Sequence, residues 1–146
     1  MLFKNDDESL KLEIRNYEIP ADEAAPGSDD QNWLVLRATW TQEDGTIVKD
    51  SNSCLLTYEL QEMTAGLKVL KAGIKTSYVS EFQEPYFTVS SYAEEGKGFW
   101  FYVSFFLPNT MDGDDTAEVK CLMSEDEMNA LVDELDQLCI KYPDRK

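Results

Sequence analysis

Residues 56–73 read LTYELQEMTAGLKVLKAG, and this stretch decides the fold class because strand-like segments lie on both sides of it. Leucine or methionine recurs at spacings of four, three, four and three residues, which places these side chains on one face of a helix. They are Leu56, Leu60, Met63, Leu67 and Leu70. Thr57 is a candidate N-cap, and Gly73 suits the position just past the helix. We predict a helix over about 56–72.

Glycine inside this helix is unfavourable. Gly66 costs about 1 kcal/mol relative to alanine in a helix interior. We therefore expect Gly66 to lie where the helix approaches the sheet closely.

The residues before the helix predict three strands. Apolar and polar side chains alternate over 10–15, and the apolar phase then shifts by one residue, which indicates a β-bulge near Arg15 and Asn16. Residues 33–41 predict a second strand. Gln42-Glu43-Asp44-Gly45 is typical of a hairpin turn, followed by a short returning strand over 46–49.

The residues after the helix predict more strands and a second helix. Segments 78–82, 86–92 and 116–123 read as strands. Residues 99–107 are apolar on both alternating faces apart from Ser104, which predicts a central strand covered on both sides. A capping box at 124–127 then begins a helix over 125–142.

The order of strands, helix, strands, helix favours an α+β fold. We predict a mostly antiparallel, twisted sheet of about six strands with two amphipathic helices, at about 56–72 and 125–142. The 146 residues fit a single domain over 1–146. The sequence shows no internal repeat.

Charge is the strongest compositional feature. There are 29 acidic and 13 basic residues, which gives a net charge of -16. Such a surface repels nucleic acid and anionic lipid and attracts basic proteins. The N-terminal residues include Asp6, Asp7 and Glu8 instead of the basic region of a secretory signal. We therefore expect a cytoplasmic protein with neither nucleic-acid nor membrane partners.

The residues needed for common catalytic systems are missing. There is no histidine, which excludes Ser-His-Asp and Cys-His systems and most zinc catalysis. Cys54, Cys121 and Cys139 lie in apolar stretches and are expected to be buried. We predict no catalytic residue, metal site or cofactor.

The aromatic run 99–106 would suit a nucleic-acid stacking platform only with basic neighbours. Lys97 is the one nearby, so a core strand is favoured.

The order of several short motifs resembles the WapI-type immunity proteins, which are antidotes to bacterial wall-associated polymorphic toxins. The matching residues are Leu12, Glu13, Ile14, Tyr17 and Pro20, then Asn32-Trp33-Leu34, then Cys54-Leu55-Leu56-Thr57-Tyr58-Glu59-Leu60, and finally Phe82 before Glu84-Pro85. The resemblance implies a toxin-neutralising role without catalysis, and it carries over no contact residue. Asn32, Glu59 and Glu84 are interpreted as structural residues that satisfy backbone groups.

Two acidic loops are the candidate partner-binding residues. They were selected by charge and loop position, because carboxylates pair well with the Lys and Arg of a basic toxin domain such as a nuclease. The candidates are Asp22, Glu23, Asp29 and Asp30 in the first loop, and Asp112, Asp114 and Asp115 in the second.

Two alternatives remain open. A scaffold or regulatory module would instead use exposed aromatic residues such as Trp33, Trp40 or Tyr92. A carboxylate-dependent enzyme would need a deep pocket that holds two acidic side chains. The oligomeric state is not predicted.

Overall fold

The computed structural model describes residues 1–25, 27–109 and 115–145. The chain forms eight strands and two long helices in the order ββββα–ββββα. The first half contains β1 (Leu2–Lys4), β2 (Ser9–Tyr17), β3 (Trp33–Thr41), β4 (Ile47–Leu56) and α1 (Thr57–Lys71). The second half contains β5 (Ser77–Val79), β6 (Phe87–Glu94), β7 (Gly98–Leu107), β8 (Asp115–Met123) and α2 (Glu125–Lys141).

The strands form two antiparallel four-stranded sheets, each in chain order. We call β1–β4 the first sheet and β5–β8 the second sheet. The α+β class and both helices are confirmed, but the strands number eight in two sheets instead of about six in one. The architecture also repeats, although the sequence shows no repeat, because the two halves share the order of elements and not their residues.

The strand β4 is longer than predicted. It runs from Ile47 to Leu56, well beyond the expected end at residue 49. Its polar middle includes Asp50 and Ser51, which have low strand propensity. It forms a strand because it pairs with β3 along almost its full length, from Trp33 opposite Leu56 to Thr41 opposite Ile47.

Three local predictions are confirmed. The register between β2 and β3 shifts between Ile14 and Asn16, where the bulge was expected. Gly45 closes the predicted hairpin with φ of 87°. Gly73 follows α1 with φ of 76°, and its N–H donates to the Leu70 carbonyl at 3.0 Å. The N-cap of α1 is Leu56 and not Thr57, because Glu59 supplies the acceptor for the Leu56 N–H, at 3.0 Å.

The capping box of α2 forms as expected. The Ser124 hydroxyl accepts from the Glu127 N–H, and the Glu127 carboxylate accepts from the Ser124 N–H, both at 3.1 Å. Two donors that would otherwise lack partners at the helix start are satisfied in this way. The helix then buries a stripe that includes Met128, Leu131 and Leu135 against the sheets.

The inner faces of both sheets and the apolar faces of both helices bury one shared core. The rings of Phe3 in β1 and Phe101 in β7 lie 5.7 Å apart between centroids and join the two sheets. A buried carboxylate adds a polar link, since Asp50 of β4 accepts from the Asn109 N–H at 3.0 Å and from its side-chain amide at 2.9 Å. Alternation of side chains along each strand leaves one outer face per sheet facing solvent.

Substitution of Gly66 tests whether α1 needs a glycine to approach the second sheet closely. A Cβ at this position would overlap the ring of Tyr78 in β5. We expect Gly66→Ala to destabilise the protein by about 1–3 kcal/mol, because the steric conflict outweighs the better helix propensity of alanine. Urea unfolding would measure this change.

The control is the same substitution in a variant that lacks the Tyr78 ring. In a Tyr78→Ala background, Gly66→Ala should instead stabilise by about 1 kcal/mol. If the substitution has the same sign in both backgrounds, the contact with Tyr78 is not the reason for the glycine.

Candidate partner-binding site

The first acidic loop joins β2 to β3, and the C-terminal segment fixes it in place. Tyr17 at the end of β2 donates its hydroxyl to the Pro143 carbonyl at 2.5 Å. Tyr142 donates to the Arg15 carbonyl at 3.1 Å. The Arg145 guanidinium lies over the Tyr17 ring, 3.8 Å from its centroid. The segment after α2 is therefore anchored beside the start of the loop.

Asn32 and Arg145 connect this segment to the end of the loop. The Asn32 side chain accepts from the Arg145 N–H at 2.7 Å and donates to the Arg145 carbonyl at 3.2 Å. The Arg145 guanidinium donates to the carbonyls of Gln31 and Ile19, each at 2.7 Å. Ile19 and Gln31 lie at opposite ends of the loop, so one side chain holds the two ends together.

All four candidates of the first loop lie between the two ends that Arg145 holds. Asp22, Glu23, Asp29 and Asp30 are all exposed. The last two begin a short 3-10 helix, Asp29–Gln31. The structure therefore leaves all four carboxylates facing solvent.

Glu59 is buried beside this loop and has a structural role. It is 2% exposed, and one carboxylate oxygen accepts from the Leu56 N–H. The other oxygen accepts from the Gln83 N–H at 2.8 Å. Glu59 thus joins the start of α1 to the segment between β5 and β6 of the second sheet. The structural interpretation of Asn32 and Glu59 is confirmed, whereas Glu84 is exposed and, within the described residues, its carboxylate accepts no hydrogen bond.

Two further acidic residues belong to the same surface, and the sequence analysis missed them. Partial desolvation raises the pKa of the Tyr58 phenol, and the nearby carboxylates of Asp29, Glu59, Glu62 and Asp144 raise this pKa further. Asp144 also accepts from the hydroxyl of Thr57 and from the Gln61 amide. Asp144 lies far from the loop in sequence, so no local pattern reveals it. Glu62 lies on the polar side of the predicted helix, where an acidic residue is ordinary.

Of the candidates in the second acidic loop, Asp115 lies within the described residues. Asp112 and Asp114 lie outside the described residues. Asp115 is half-buried at the start of β8, opposite Leu107 of the second sheet. The nearest link to the first sheet is the contact between Asn109 and Asp50. Asp50 precedes Leu56 by six residues along β4, which is about 20 Å at 3.3 Å per residue. Asp115 is therefore not adjacent to the first loop.

The predicted cover on both sides of β7 is wrong. Phe101 is fully buried on its inner face, but Tyr102 is 40% exposed on the other. On that outer face the Lys120 ammonium of β8 lies 4.7 Å from the Trp100 ring centroid and 5.0 Å from that of Tyr102. Lys120 is the basic neighbour that the sequence analysis did not find. It is distant in sequence from the aromatic run, and antiparallel pairing of β7 with β8 brings it close.

We call this outer surface of the second sheet the aromatic face. It contains Tyr92, Trp100, Tyr102, Lys120 and Leu122. Tyr92 and Tyr102 stack at 6.1 Å between centroids, and Trp100 donates its indole N–H to Glu94 at 2.5 Å. Of the three aromatic residues named for the scaffold alternative, Tyr92 is 38% exposed, while Trp33 and Trp40 are half-buried.

A groove of about 740 Å³ adjoins the aromatic face. It is open to solvent, and its polar lining includes Thr88, Ser104, Glu118 and Lys120. It is not the deep pocket that the enzyme alternative requires. Among residues 1–25, 27–109 and 115–145, no three potential ligand side chains are grouped so as to hold a metal ion.

The cysteine thiols are mostly withdrawn from solvent. Burial is the main cause that raises the pKa of Cys54 to about 12 and that of Cys121 to about 11. Cys139 is half-buried, and its sulfur lies 3.5 Å from the Thr64 hydroxyl. Thiolate nucleophiles at Cys54 or Cys121 are therefore strongly disfavoured near neutral pH. None of the helices in the described part of the chain is both long and apolar enough to span a membrane.

These features define a class of protein: a twofold ββββα architecture that offers open charged and aromatic surfaces. The model of the immunity protein WapI-like family matches residues 1–143, and the chain belongs to that family. No curated protein matches the chain.

The fold also occurs in a solved structure of another protein. The chain is similar to WHY3 from Arabidopsis thaliana, with a TM-score of 0.57 and 14% sequence identity over 97% of this chain and 86% of that one. At this identity the similarity concerns the fold alone.

The frame around the acidic loop can be tested through Asn32. We expect Asn32→Ala to destabilise the protein by about 1–3 kcal/mol, because the Arg145 backbone N–H loses its partner. Deletion of residues 143–146 should have a similar effect, and combining both changes should add little, because they remove the same contacts. Thermal unfolding would measure these changes.

The matched control is Asn16→Ala, which removes an exposed amide and should change stability by about 0.5 kcal/mol or less. Fully additive effects of Asn32→Ala and the deletion would show that Asn32 acts independently of the C-terminal segment.

Proposed function

We propose that this family member binds a cognate bacterial toxin domain in the cytoplasm and neutralises it by covering its active surface. The observation that carries the proposal is the group of four exposed carboxylates on a loop whose two ends are both held by Arg145. Family membership supports a toxin-directed role. We propose that Asp22, Glu23, Asp29 and Asp30 make the main contacts, joined by Asp144.

The frame gives this loop an advantage in binding. Association costs free energy for every loop that must be ordered at the interface. A loop that is already fixed avoids much of that cost. Carboxylates on such a loop pair with the Lys and Arg residues that a nuclease uses for phosphate, and these charge-assisted hydrogen bonds are among the strong ones. The net charge of -16 would also accelerate encounter with a basic toxin at low salt.

The chemistry of the chain supports neutralisation without catalysis. There is no histidine to act as a general base, and burial holds two of the three thiols in their protonated form. The chain would then act by binding alone. We propose no role for Asp115 at the main contact, since it lies on the other sheet, and Asp112 and Asp114 remain candidates from the sequence.

A scaffold or regulatory role is the second candidate, and the aromatic face favours it. Tyr and Trp are enriched at interaction hot spots, and Tyr92 and Tyr102 are exposed side by side next to Trp100. A partner that docks on this face would bind with little dependence on salt. Salt dependence therefore separates the two candidates.

The acidic loop predicts a change in association kinetics. The variant Asp22→Lys, Glu23→Lys, Asp29→Lys, Asp30→Lys should bind the cognate toxin domain with an association rate at least about tenfold lower at low ionic strength. Its rate should also depend less on salt. Stopped-flow fluorescence over a salt series would measure both quantities, and inhibition of the toxin should weaken in parallel.

The control variant has the same net charge. Asp6→Lys, Asp7→Lys, Glu43→Lys and Glu95→Lys change exposed acids elsewhere, and both variants go from -16 to -8 because each of four substitutions adds two charges. The control should keep most of the wild-type rate. Equal losses in both variants would assign the effect to total charge and remove the loop from the interface.

A further inference from the structure

The outer face of the first sheet has the opposite charge to the rest of the molecule. We call it the basic face. Strand alternation and register place four basic residues and one acidic residue on it, and a fifth basic residue, Arg15 at the bulge, approaches the same acidic residue to 3.7 Å. The basic residues are Lys4, Lys11, Arg15, Arg37 and Lys49, and the acidic one is Glu13. The face therefore has a net charge of +4, and the remaining 28 acidic and 8 basic residues of the chain give -20.

The basic side chains are available to a partner. Glu13 lies 3.9 Å from the Lys11 ammonium and 3.7 Å from the Arg15 guanidinium, and ion pairs this long and exposed contribute little. Within the described residues, Arg37 and Lys49 have no carboxylate within 4.0 Å. The positive charge is thus only weakly neutralised by the protein itself.

The geometry of the sheet arranges these charges in a compact group. Lys11 and Lys49 both flank Thr39 in one row across β2, β3 and β4. Strands lie about 4.8 Å apart, so the two lysines are separated by about 10 Å, and Arg37 lies about 7 Å away in the next row. Two exposed apolar side chains border the group, with Leu2 at 50% and Ile47 at 58% exposure. Mixed charged and apolar surfaces of this kind are typical of protein interfaces.

The basic face is continuous with the acidic loop. Arg15 lies two residues before Tyr17, at which β2 ends and the chain enters the loop. The other basic residues lie further along the sheet, since Lys11 precedes Tyr17 by six residues, which is about 20 Å at 3.3 Å per residue. A purely basic partner that is docked on the loop and reaches this far would be repelled by the basic face.

We propose that the partner-binding surface extends from the acidic loop onto the basic face, and that the toxin contacts this face with a carboxylate-rich segment. Charge complementarity over two adjoining patches of opposite sign favours this occupant, which rests on the proposed function. Opposite patches fix the orientation of the complex, because a reversed partner would place like charges together.

The test uses substitutions that make the chain more acidic. The variant Lys11→Glu, Arg37→Glu, Lys49→Glu has a net charge of -22, since three substitutions each remove two charges from -16. A simple basic partner would bind it faster. We expect instead that its affinity for the cognate toxin domain falls at least about tenfold. Biolayer interferometry would measure the affinity, and thermal unfolding would verify that the variant is folded.

The control variant Lys71→Glu, Lys75→Glu, Lys141→Glu has the same charge of -22 but changes exposed lysines at or near the helix ends. It should bind the toxin domain at least as well as the wild type. Unchanged or tighter binding of the basic-face variant would overturn the proposal, as would equal weakening of both variants.

A second probe makes the result independent of the toxin. A fluorescent deca-glutamate peptide at low ionic strength should bind the wild type and the control, and binding to the basic-face variant should be lost. Failure of this peptide to bind the wild type would overturn the inference while leaving the acidic-loop proposal standing. If a single-stranded oligo-dT binds through the basic face and the peptide does not, the occupant is nucleic acid and the proposal is wrong. Loss of toxin binding in the acidic-loop variant alone would support the proposed function only.

Discussion

The structure depends on one constraint: each of its two sheets has a single apolar face, and both of these faces share one core. Side chains alternate along a strand, so residues that follow each core position point to solvent. The contact between Phe3 and Phe101 joins the two inner faces. The outer faces are then free to differ, and they do: the first is basic, and the second is aromatic with only weak charge.

Polar contacts at the edges hold these parts in a fixed relation. Glu59 is a buried carboxylate that accepts backbone hydrogen bonds from two separate segments, and Asp50 does the same between β4 and the end of β7. Removing one partner of such a bond leaves a buried group unsatisfied, which costs more than the bond contributes when intact. The role of Glu59 and Asp50 is therefore to stabilise the fold. The motif residues Tyr17 and Asn32 act in the same way, because they hold the C-terminal segment against the acidic loop.

The distribution of charge has a functional consequence that the net charge conceals. A value of -16 suggests a uniformly acidic surface and a simple attraction to basic partners. The structure instead places a patch of +4 on the outer face of the first sheet, and this face meets the acidic loop at its Arg15 end. Adjacent patches of opposite sign select both the identity and the orientation of a partner, whereas uniform charge selects only its sign. Specificity of this kind is what an antidote to one toxin requires.

Local signals in the sequence were sufficient for most elements. The leucine spacing predicted α1, the Ser124–Glu127 box predicted the start of α2, and the phase shift near Arg15 predicted the bulge. They were insufficient where pairing decides the outcome. The polar middle of β4 has weak strand propensity and is extended because β3 lies beside it. The outer side of β7 is apolar in sequence but only partly covered, since Tyr102 is 40% exposed while Tyr86 stacks on Phe106.

The sequence by itself determined the fold class, the positions of both helices, the bulge, the absence of histidine chemistry and the first group of acidic candidates. Those properties follow from local periodicity, capping and composition. Only the tertiary structure decided that the strands form two sheets, that Asp115 lies apart from the first loop, and that Arg145 and Asp144 belong to the frame beside it. The physical reason is that these relations join residues that are far apart in sequence, such as Gln61 and Asp144, which are 83 positions apart, and Ile19 and Arg145, which are 126 positions apart. Packing of the shared core sets such distances, and no short sequence pattern records them.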